Sequence, residues 1–502
     1  MFTPTIAGGS FTLTPTSEAT ATIDVGGGLA PITVFGTDAI RATFDDATIK
    51  QTINSRLAPG VVEVTLNPDA HVGYGAPIGC VMTSPTHIYP GPIGVDIKCS
   101  MSLLQLDLPA DAVVDRRTRR ALIDAILQRT PTGPGRTGRS VPKGRAVTSE
   151  LGRKVVTGGA TLDVCNALGI PPHWAQACED STHTGHDGTY DSLAARLEHL
   201  LPTFGTQRFY EKMNQLGTYG GGNHFGECEI VSIGESDRAQ QAAQCYGLRD
   251  KHVAFLSHCG SRGWGAILAE NQFRTMRQRM EASGEPLPGN DRYMVYAELG
   301  TESANDYICD MSMGANFATV NHLLINALVL EAFQEVMPGV KGDLVYFISH
   351  NIARLEPTSH GQAWVHRKGA TRAFPGDHPA LAHTKFAGVG HPILLPGNPA
   401  AGSVVMVAEA GAAKSQFSVN HGAGRALGRK AAARSLDQAA IDRDFAARDI
   451  LTNCRKYPID EAPAAYKDFE EVLRSVKLAG LASEVARLNA TFVIKDGDAA
   501  DD

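Results

Sequence analysis

Cysteine and tryptophan are scarce in this 502-residue chain, with 9 and 3 copies respectively, and no Cys-x-x-Cys pair occurs. A disulfide framework is therefore excluded as the organising principle, since a chain this long buries enough apolar surface without staples. No apolar run approaches the roughly 20 residues that a membrane-spanning helix needs. The opening "MFTPTIAGGSFTLTPTS" lacks both the basic and the apolar stretch of a secretory signal. Positive charge is also not in excess. The 46 Lys and Arg residues face 53 Asp and Glu, a formal net charge of −7, which argues against a whole-surface basic footprint for nucleic acid. Internal repeats and low-complexity tracts are missing too. These absences leave the expectation of a soluble, cytoplasmic globular protein that makes no use of a membrane.

What is present is glycine and proline in quantity, 52 and 27, spread along the chain as turn-formers between ordered segments. Residues 1–29 are rich in Thr, Gly and Ala and read as short strands or a loosely attached extension. From Pro31 the texture changes to a strand "PITVFG", a helix around "DDATIKQTINSRL" and a strand "VVEVTL". Helical patterns recur at 115–129, 190–202, 265–283, 314–337, 423–447 and 466–489. Apolar strands lie between them, among them "HVAFLSH", "DLVYFISH", "HPILLPG" and "SVVMVA". This alternation predicts a mixed α/β (α+β) enzyme with long glycine-rich loops. The expected division is an N-terminal extension over 1–30, one large catalytic domain over 31–497 and an acidic tail over 498–502. Charge of one sign gathers only in Arg116 to Lys154, where Asp124 and Glu150 are the sole opposing groups. That segment reads either as a solvated helix and loop or as a local patch for nucleic-acid phosphates, with Arg136, Arg139, Lys143 and Arg145 at its centre.

Several of the 17 histidines end an apolar strand or sit beside glycine: His71, His224, His258, His350 and His421. A lone histidine of this kind is usually a core residue bonded to a carbonyl. As a group, together with Asp96 and Cys99 in "GPIGVDIKCSM", they form a mixed carboxylate, thiolate and imidazole set at strand ends, where rigid scaffolds present ligands. The set is too large for one closed tetrahedral zinc. Two divalent ions bridged by the thiolate would use Asp96, Cys99, His224, His258 and His350 and leave open positions. In "VNHGAGR", His421 reads either as the cap of a helix starting near Ala426 or as a reactive imidazole that Gly422 and Gly424 leave accessible to a nucleotide.

The ordered motifs "DAHVGYGAPIG", "GVDIKC", "GGGNHFGE", "SHCGSRG", "SHNIAR", "VHRKGATRAFPG", "LLPG", "NHGAGR", "DEAPAAYKD" and "VIK" resemble the RtcB family of RNA ligases, from about Pro31 to Lys495. The resemblance implies two Mn²⁺ ions, GTP as co-substrate and a covalent histidine–GMP intermediate. By motif, Asp96, Cys99 and His224 would hold one ion, and Cys99, His258 and His350 the other. His421 would attack the GTP α-phosphate, and Asp69 occupies the place of an essential family aspartate. Asn223, His224, Glu227, His350, Asn351, Pro396, Gly397, Asn398, Pro399, Ser403, Gly422, Gly424 and Lys495 fall where family members contact the guanylate. Arg367, Lys368 and Arg372 in "HRKGATR" would suit an RNA 3′-phosphate or the triphosphate. The implied partners are RNA with 3′-phosphate or 2′,3′-cyclic phosphate ends and 5′-hydroxyl ends, GTP and an archease-type activator. Two departures bear on nucleotide preference: "PGNPAAGS" puts Pro399 where the family commonly has methionine, and Asn420 precedes His421 where the family usually has cysteine. The competing readings are a metal-dependent phosphoesterase that stops at cyclic-phosphate opening and a non-catalytic RNA-end binder.

Overall fold

The computed structural model describes residues 5–6, 9–133 and 147–497. Two large sheets dominate. In the first, the strands run Gly342–Ser349, Ser100–Pro109, His252–Cys259, Phe225–Ile233, Ala482–Lys495, Gly402–Ala408 and Pro392–Asn398, each antiparallel to its neighbour, with Leu451–Thr452 added parallel to Ala482–Lys495. In the second, the order is Asn351–Thr358, Gly361–Lys368, Ile78–Ser84, Glu63–His71, Ile32–Phe35, Thr20–Ile23 and Leu13–Ser17, antiparallel except where Ile32–Phe35 meets Glu63–His71. Largely antiparallel sheets with helices packed around them make this a mixed α/β fold of the α+β kind. The strands predicted before Pro31 are present, and Thr20–Ile23 pairs along Ile32–Phe35, so this segment forms the edge of the second sheet.

One of the chain's crossings between the two sheets takes a single residue. Ser349 ends the edge strand of the first sheet, Asn351 begins the edge strand of the second, and His350 lies between them. A second bridge forms where Ala370–Arg372 pairs antiparallel with Ser418–Asn420.

Behind the first sheet lies the helix Glu302–Val336, capped by the Thr301 hydroxyl, which accepts from Ala304 N. It is long and apolar enough to span a bilayer by composition, yet almost all of that stretch is buried inside the fold, as expected of a helix apolar on every side. Several of its buried polar side chains tie it to neighbouring loops. Asn321 Oδ1 accepts from Gly217 N at 2.7 Å and its Nδ2 donates to Gly260 O at 3.2 Å. His322 Nε2 donates to Cys259 O at 2.8 Å. Asn316 likewise ties Val156 O and His183 O. The helix thus fixes the loops that precede His224 and follow His258.

Three expectations about local structure fail. Residues 423–447 form two helices, Arg429–Ser435 and Gln438–Ala447, and no helix starts near Ala426. Gly424, at φ +74°, is outside right-handed helical geometry, and the next helix starts at Arg429 with Gly428 at its N-cap, so His421 caps nothing and no helix terminus meets a phosphate at this point. Residues 466–489 contain a helix only over Phe469–Leu478. Gly480, at φ +71°, ends it, and "ASEVARLNATFVIK" is the central strand of the first sheet. The helix at 314–337 in fact begins a dozen residues earlier, at Glu302.

The basic segment is also resolved differently from a phosphate track over its described part. Arg119 is buried against Asp449, Arg129 pairs with Glu335, Arg153 with Glu198 and Lys154 with Glu150. Arg136, Arg139, Lys143 and Arg145 lie outside the described residues.

Replacing Asn321 by leucine keeps the volume but leaves the Gly217 amide and the Gly260 carbonyl unpaired in the core. Asn321→Leu should lower stability by about 1–3 kcal/mol per orphaned group, read as a lower thermal unfolding temperature. An unchanged transition would show that the polar stripe does not hold these loops.

Candidate active site

The antiparallel register explains why residues far apart in sequence meet. Cys99 immediately precedes Ser100, which pairs with both Cys259 and Ser349. Phe225, which follows His224, pairs with His258 on one side and Lys495 on the other. One end of the sheet therefore collects Cys99, His224, His258, His350 and Lys495.

Two donor groups share the sulfur. Asp96, Cys99 and His224 form one, and Cys99, His258 and His350 the other, with the ligand atoms in each group within 4.8 Å of one another. Cys99 Sγ lies 3.1 Å from His258 Nε2 and 3.6 Å from His224 Nε2. His224 Nε2 is 2.9 Å from Asp96 Oδ2, and His258 Nε2 is 3.4 Å from His350 Nε2. The rings are aimed from behind. His224 Nδ1 donates to Tyr219 O at 2.9 Å and His258 Nδ1 to Asn223 O at 3.1 Å, which turns each Nε2 toward the sulfur. Asp96 is held by Ser261 N, 3.0 Å from Oδ1, and a side chain at Gly260 would overlap its carboxylate. This donor chemistry fits a pair of divalent cations sharing one thiolate.

The three imidazoles differ: against its own burial, His224 is raised well above the ordinary histidine value by its Cys259 and Asp96 neighbours. Burial and the neighbouring imidazoles hold His258 and His350 well below the ordinary histidine value, so both are neutral and able to ligate. Burial pushes the Cys99 thiol up, and the Asp96 charge adds to it. Against its own burial, Asp96 is held below the carboxylate range by His224. The cluster thus retains a thiol proton that a cation would displace.

His421 lies beside this cluster, its ring centroid 4.5 Å from that of His350. Its Nδ1 sits 2.7 Å from Asp69 Oδ2 and 3.0 Å from Gly369 O, and its backbone N–H also donates to Asp69 Oδ2. With Nδ1 engaged as donor, Nε2 carries the lone pair. Asp69 itself is fully buried on the strand Glu63–His71. Lys467 donates to Pro68 O and Ala70 O on either side of it, at 3.0 and 2.6 Å.

His421 opens into a cavity of about 580 Å³, within the range of a small-molecule site. Asn223, Glu227, Pro396, Gly397, Asn398, Pro399, Gly422, Gly424 and Lys495 line it, as does His258. His224, His350, Asn351 and Ser403 lie in the structure behind it. Asn351 accepts from Gly369 N at 2.9 Å and donates to Asp96 O at 3.4 Å, joining the His421 pocket to the donor cluster. In "PGNPAAGS", Asn398 Oδ1 accepts from Ala400 N and Ala401 N, closing the turn that carries Pro399.

Gly424 has a reason other than nucleotide access. A Cβ there would overlap the backbone of Asp69, and one on Gly422 would meet Pro396 O at 3.1 Å. Two of the three cations of "HRKGATR" also leave the surface. Arg367 is buried in a bidentate pair with Glu356, 2.8 Å on both sides, and Arg372 pairs with Glu179 at 2.8 Å and Asp180 at 3.1 Å. Neither is free to meet a phosphate. Lys368 alone lines the cavity, donating to Tyr74 O and Gly91 O.

Polar residues of the lining include His71 and Glu227 from the sequence candidates and Glu461 from within "DEAPAAYKD". Glu461 collects Lys495 at 3.2 Å, Arg425 at 3.2 Å and the Tyr466 hydroxyl at 2.7 Å. His71, lowered to about 4 by burial, donates from Nδ1 to Asp69 O and stands neutral in the wall. Burial raises Glu227 to about 7 beside Lys495.

The family model for tRNA-splicing ligase RtcB matches residues 51–496. The chain belongs to the RtcB family. It is 33% identical over 466 residues to the tRNA-splicing ligase RtcB of Thermococcus kodakarensis, covering 90% of this chain and 91% of the relative. With the tRNA-splicing ligase RtcB of Pyrobaculum aerophilum the identity is 34% over 467 residues, 90% and 91% of the two chains. With the RNA-splicing ligase RtcB of Mycobacterium bovis it is 33% over 459 residues, 87% and 98%. Membership of the RtcB family makes this an RNA ligase, and the two donor groups are its candidate metal site.

Because Cys99 belongs to both donor groups, Cys99→Ala should abolish tight Mn²⁺ binding at both. His350→Ala should weaken only the group with His258. Elemental analysis of each variant after manganese loading and desalting distinguishes them, and undiminished metal in Cys99→Ala would remove the shared-thiolate assignment.

Proposed function

We propose that this chain is a GTP- and Mn²⁺-dependent RNA ligase that joins 3′-phosphate or 2′,3′-cyclic phosphate ends to 5′-hydroxyl ends through a covalent His421–GMP intermediate, in tRNA splicing or RNA repair. One observation supports this reading above others: an imidazole oriented by a buried carboxylate stands beside a thiolate-sharing donor cluster, at the mouth of a nucleotide-sized cavity. A phosphoesterase that only opened cyclic phosphates would have no use for that nucleophile.

Asp69 fixes the tautomer of His421, so that Nε2 is the attacking atom. The N–P bond forms at the GTP α-phosphorus as the bond to the pyrophosphate oxygen breaks, and Asp69 stabilises the positive charge that grows on the ring. Asp96, Cys99, His224, His258 and His350 would hold two Mn²⁺ ions, which when bound offset phosphate charge and polarise phosphoryl oxygens. Glu227, at the back of the cavity beside Lys495, offers an acceptor for guanine N–H groups. A cyclic phosphate end is first hydrolysed to the 3′-phosphate. An oxygen of that phosphate then displaces His421 from GMP, and the 5′-hydroxyl finally displaces GMP, leaving a 3′–5′ phosphodiester. Nine unpaired cysteines suit a reducing cytoplasmic setting.

Incubation with GTP and Mn²⁺ should add one GMP to the intact mass. His421→Ala should give no adduct while keeping its metal. Asp69→Asn should keep its metal but form the adduct about a hundredfold more slowly, the scale of a lost acid–base orienting group. An adduct of full yield in His421→Ala would overturn the assignment.

A further inference from the structure

A second, open groove of about 500 Å³ shares Gly73 and Tyr74 with the catalytic cavity. Its far wall, with Lys50, Arg292 and Tyr293, has no part in the chemistry above. Tyr74 is 62% exposed, although a ring of this size normally seeks cover. Its centroid is 5.1 Å from that of Tyr293, and Arg292 lies 4.8 Å from the Tyr293 centroid and donates to its hydroxyl.

These rings are held rigidly. Gln51 clamps Gly73 from both sides, donating to its carbonyl at 2.6 Å and accepting from its N–H at 3.0 Å. Lys368 donates to the Tyr74 carbonyl. Phe273 supports Tyr293 edge-on at 5.3 Å, and a side chain at Gly91 would collide with the Tyr293 carbonyl. Asp291, the only carboxylate among the described residues lining the groove, accepts from Tyr293 N at 2.9 Å and so has a structural task.

An exposed aromatic step flanked by Lys50 and Arg292, and continuous with a phosphoryl-transfer cavity, has the chemistry of a stacking platform for unpaired bases. We infer that this groove binds the single-stranded RNA segment adjoining a reacting end, with a base stacked on Tyr74 and the backbone passing Lys50 and Arg292. A duplex would not suit it, because paired bases have no free face to offer. The inference rests on the RNA-ligase reading and deepens it.

The test uses the full-length protein with Mn²⁺ and two short single-stranded RNA oligonucleotides, one ending in a 3′-phosphate and one in a 5′-hydroxyl, each labelled at its other end. Fluorescence anisotropy gives Kd at several salt concentrations. Tyr74→Ala should raise Kd about tenfold for at least one oligonucleotide, as loss of one base stack does, without altering the salt slope. Tyr74→Phe should bind as the parent protein does. Lys50→Ala should reduce the log–log salt slope by about 0.7, one single-strand phosphate contact. Unchanged affinity of Tyr74→Ala for both oligonucleotides overturns the platform, and is the result expected if the groove serves a protein partner instead. Equal losses in Tyr74→Phe and Tyr74→Ala would also overturn it, since the ring face would not be the contact. GMP adduct mass on the parent protein separates the two proposals: no adduct counts against the ligase mechanism, whereas an adduct with indifferent RNA binding counts against the platform alone.

Discussion

The hydrogen bond between Asp69 and His421 is the constraint around which the site is organised. Asp69 belongs to the second sheet, and His421 leaves the short strand Ser418–Asn420 that bridges the two sheets. A fully buried carboxylate is costly unless each neighbour serves it. Here the His421 ring and amide both donate to it, and Lys467 fixes the carbonyls on either side. The approach is close enough to dictate sequence. A side chain at Gly79 would come within 2.7 Å of Asp69 Oδ1, one at Gly424 would overlap the Asp69 backbone, and one at Gly369 would reach the His421 ring at 3.1 Å. Gly79, Gly369 and Gly424, one each from "GAPIG", "RKG" and "HGAG", are all crowded by this pair.

The donor cluster meets that pair because of where the chain changes sheets. His350 is the lone residue between two edge strands, so it belongs to the first sheet's ligand set while its ring contacts His421. Asn351 reinforces the junction by bonding the Asp96 loop to Gly369. Positional error in either sheet would therefore appear directly as a change in the distance between nucleophile and metal donors. Sub-ångström placement of this sort is what in-line phosphoryl chemistry requires.

Much of this was legible in the sequence, though unevenly. The ligands could be named because each ends an apolar strand or starts one, and an imidazole or thiol at such a place is conspicuous. The strands themselves were legible from their β-branched and aromatic content. What could not be read was the pairing of distant charges. "HRKGATR" looks like a phosphate-binding loop, but Glu356, Glu179 and Asp180 neutralise its arginines from elsewhere in the chain. Nor does the local pattern of "ASEVARLNATFVIK" distinguish helix from strand. Its outcome is set by strands on both sides, Phe225–Ile233 and Gly402–Ala408, that offer hydrogen-bond partners only once the sheet exists. Glu461 and Lys467 lie inside "DEAPAAYKD", but their tasks could not be read there, because Arg425, Lys495 and the Pro68 and Ala70 carbonyls are tens to hundreds of residues away.

The buried charges also explain how a cavity for a polyanion can exist in an acidic protein. Arg367 and Arg372 are committed to carboxylates, and Arg425 and Lys495 are committed to Glu461. Their role is to fix walls, because a paired guanidinium with satisfied donors holds geometry better than a free one. On the proposed mechanism, the charge needed at the reacting phosphate would come mainly from cations held at the donor cluster. This division accounts for a net charge of −7 in an RNA ligase. On that reading, attraction for the nucleic acid would be concentrated at the site of chemistry, and the proposed stacking groove would discriminate with little help from long-range field.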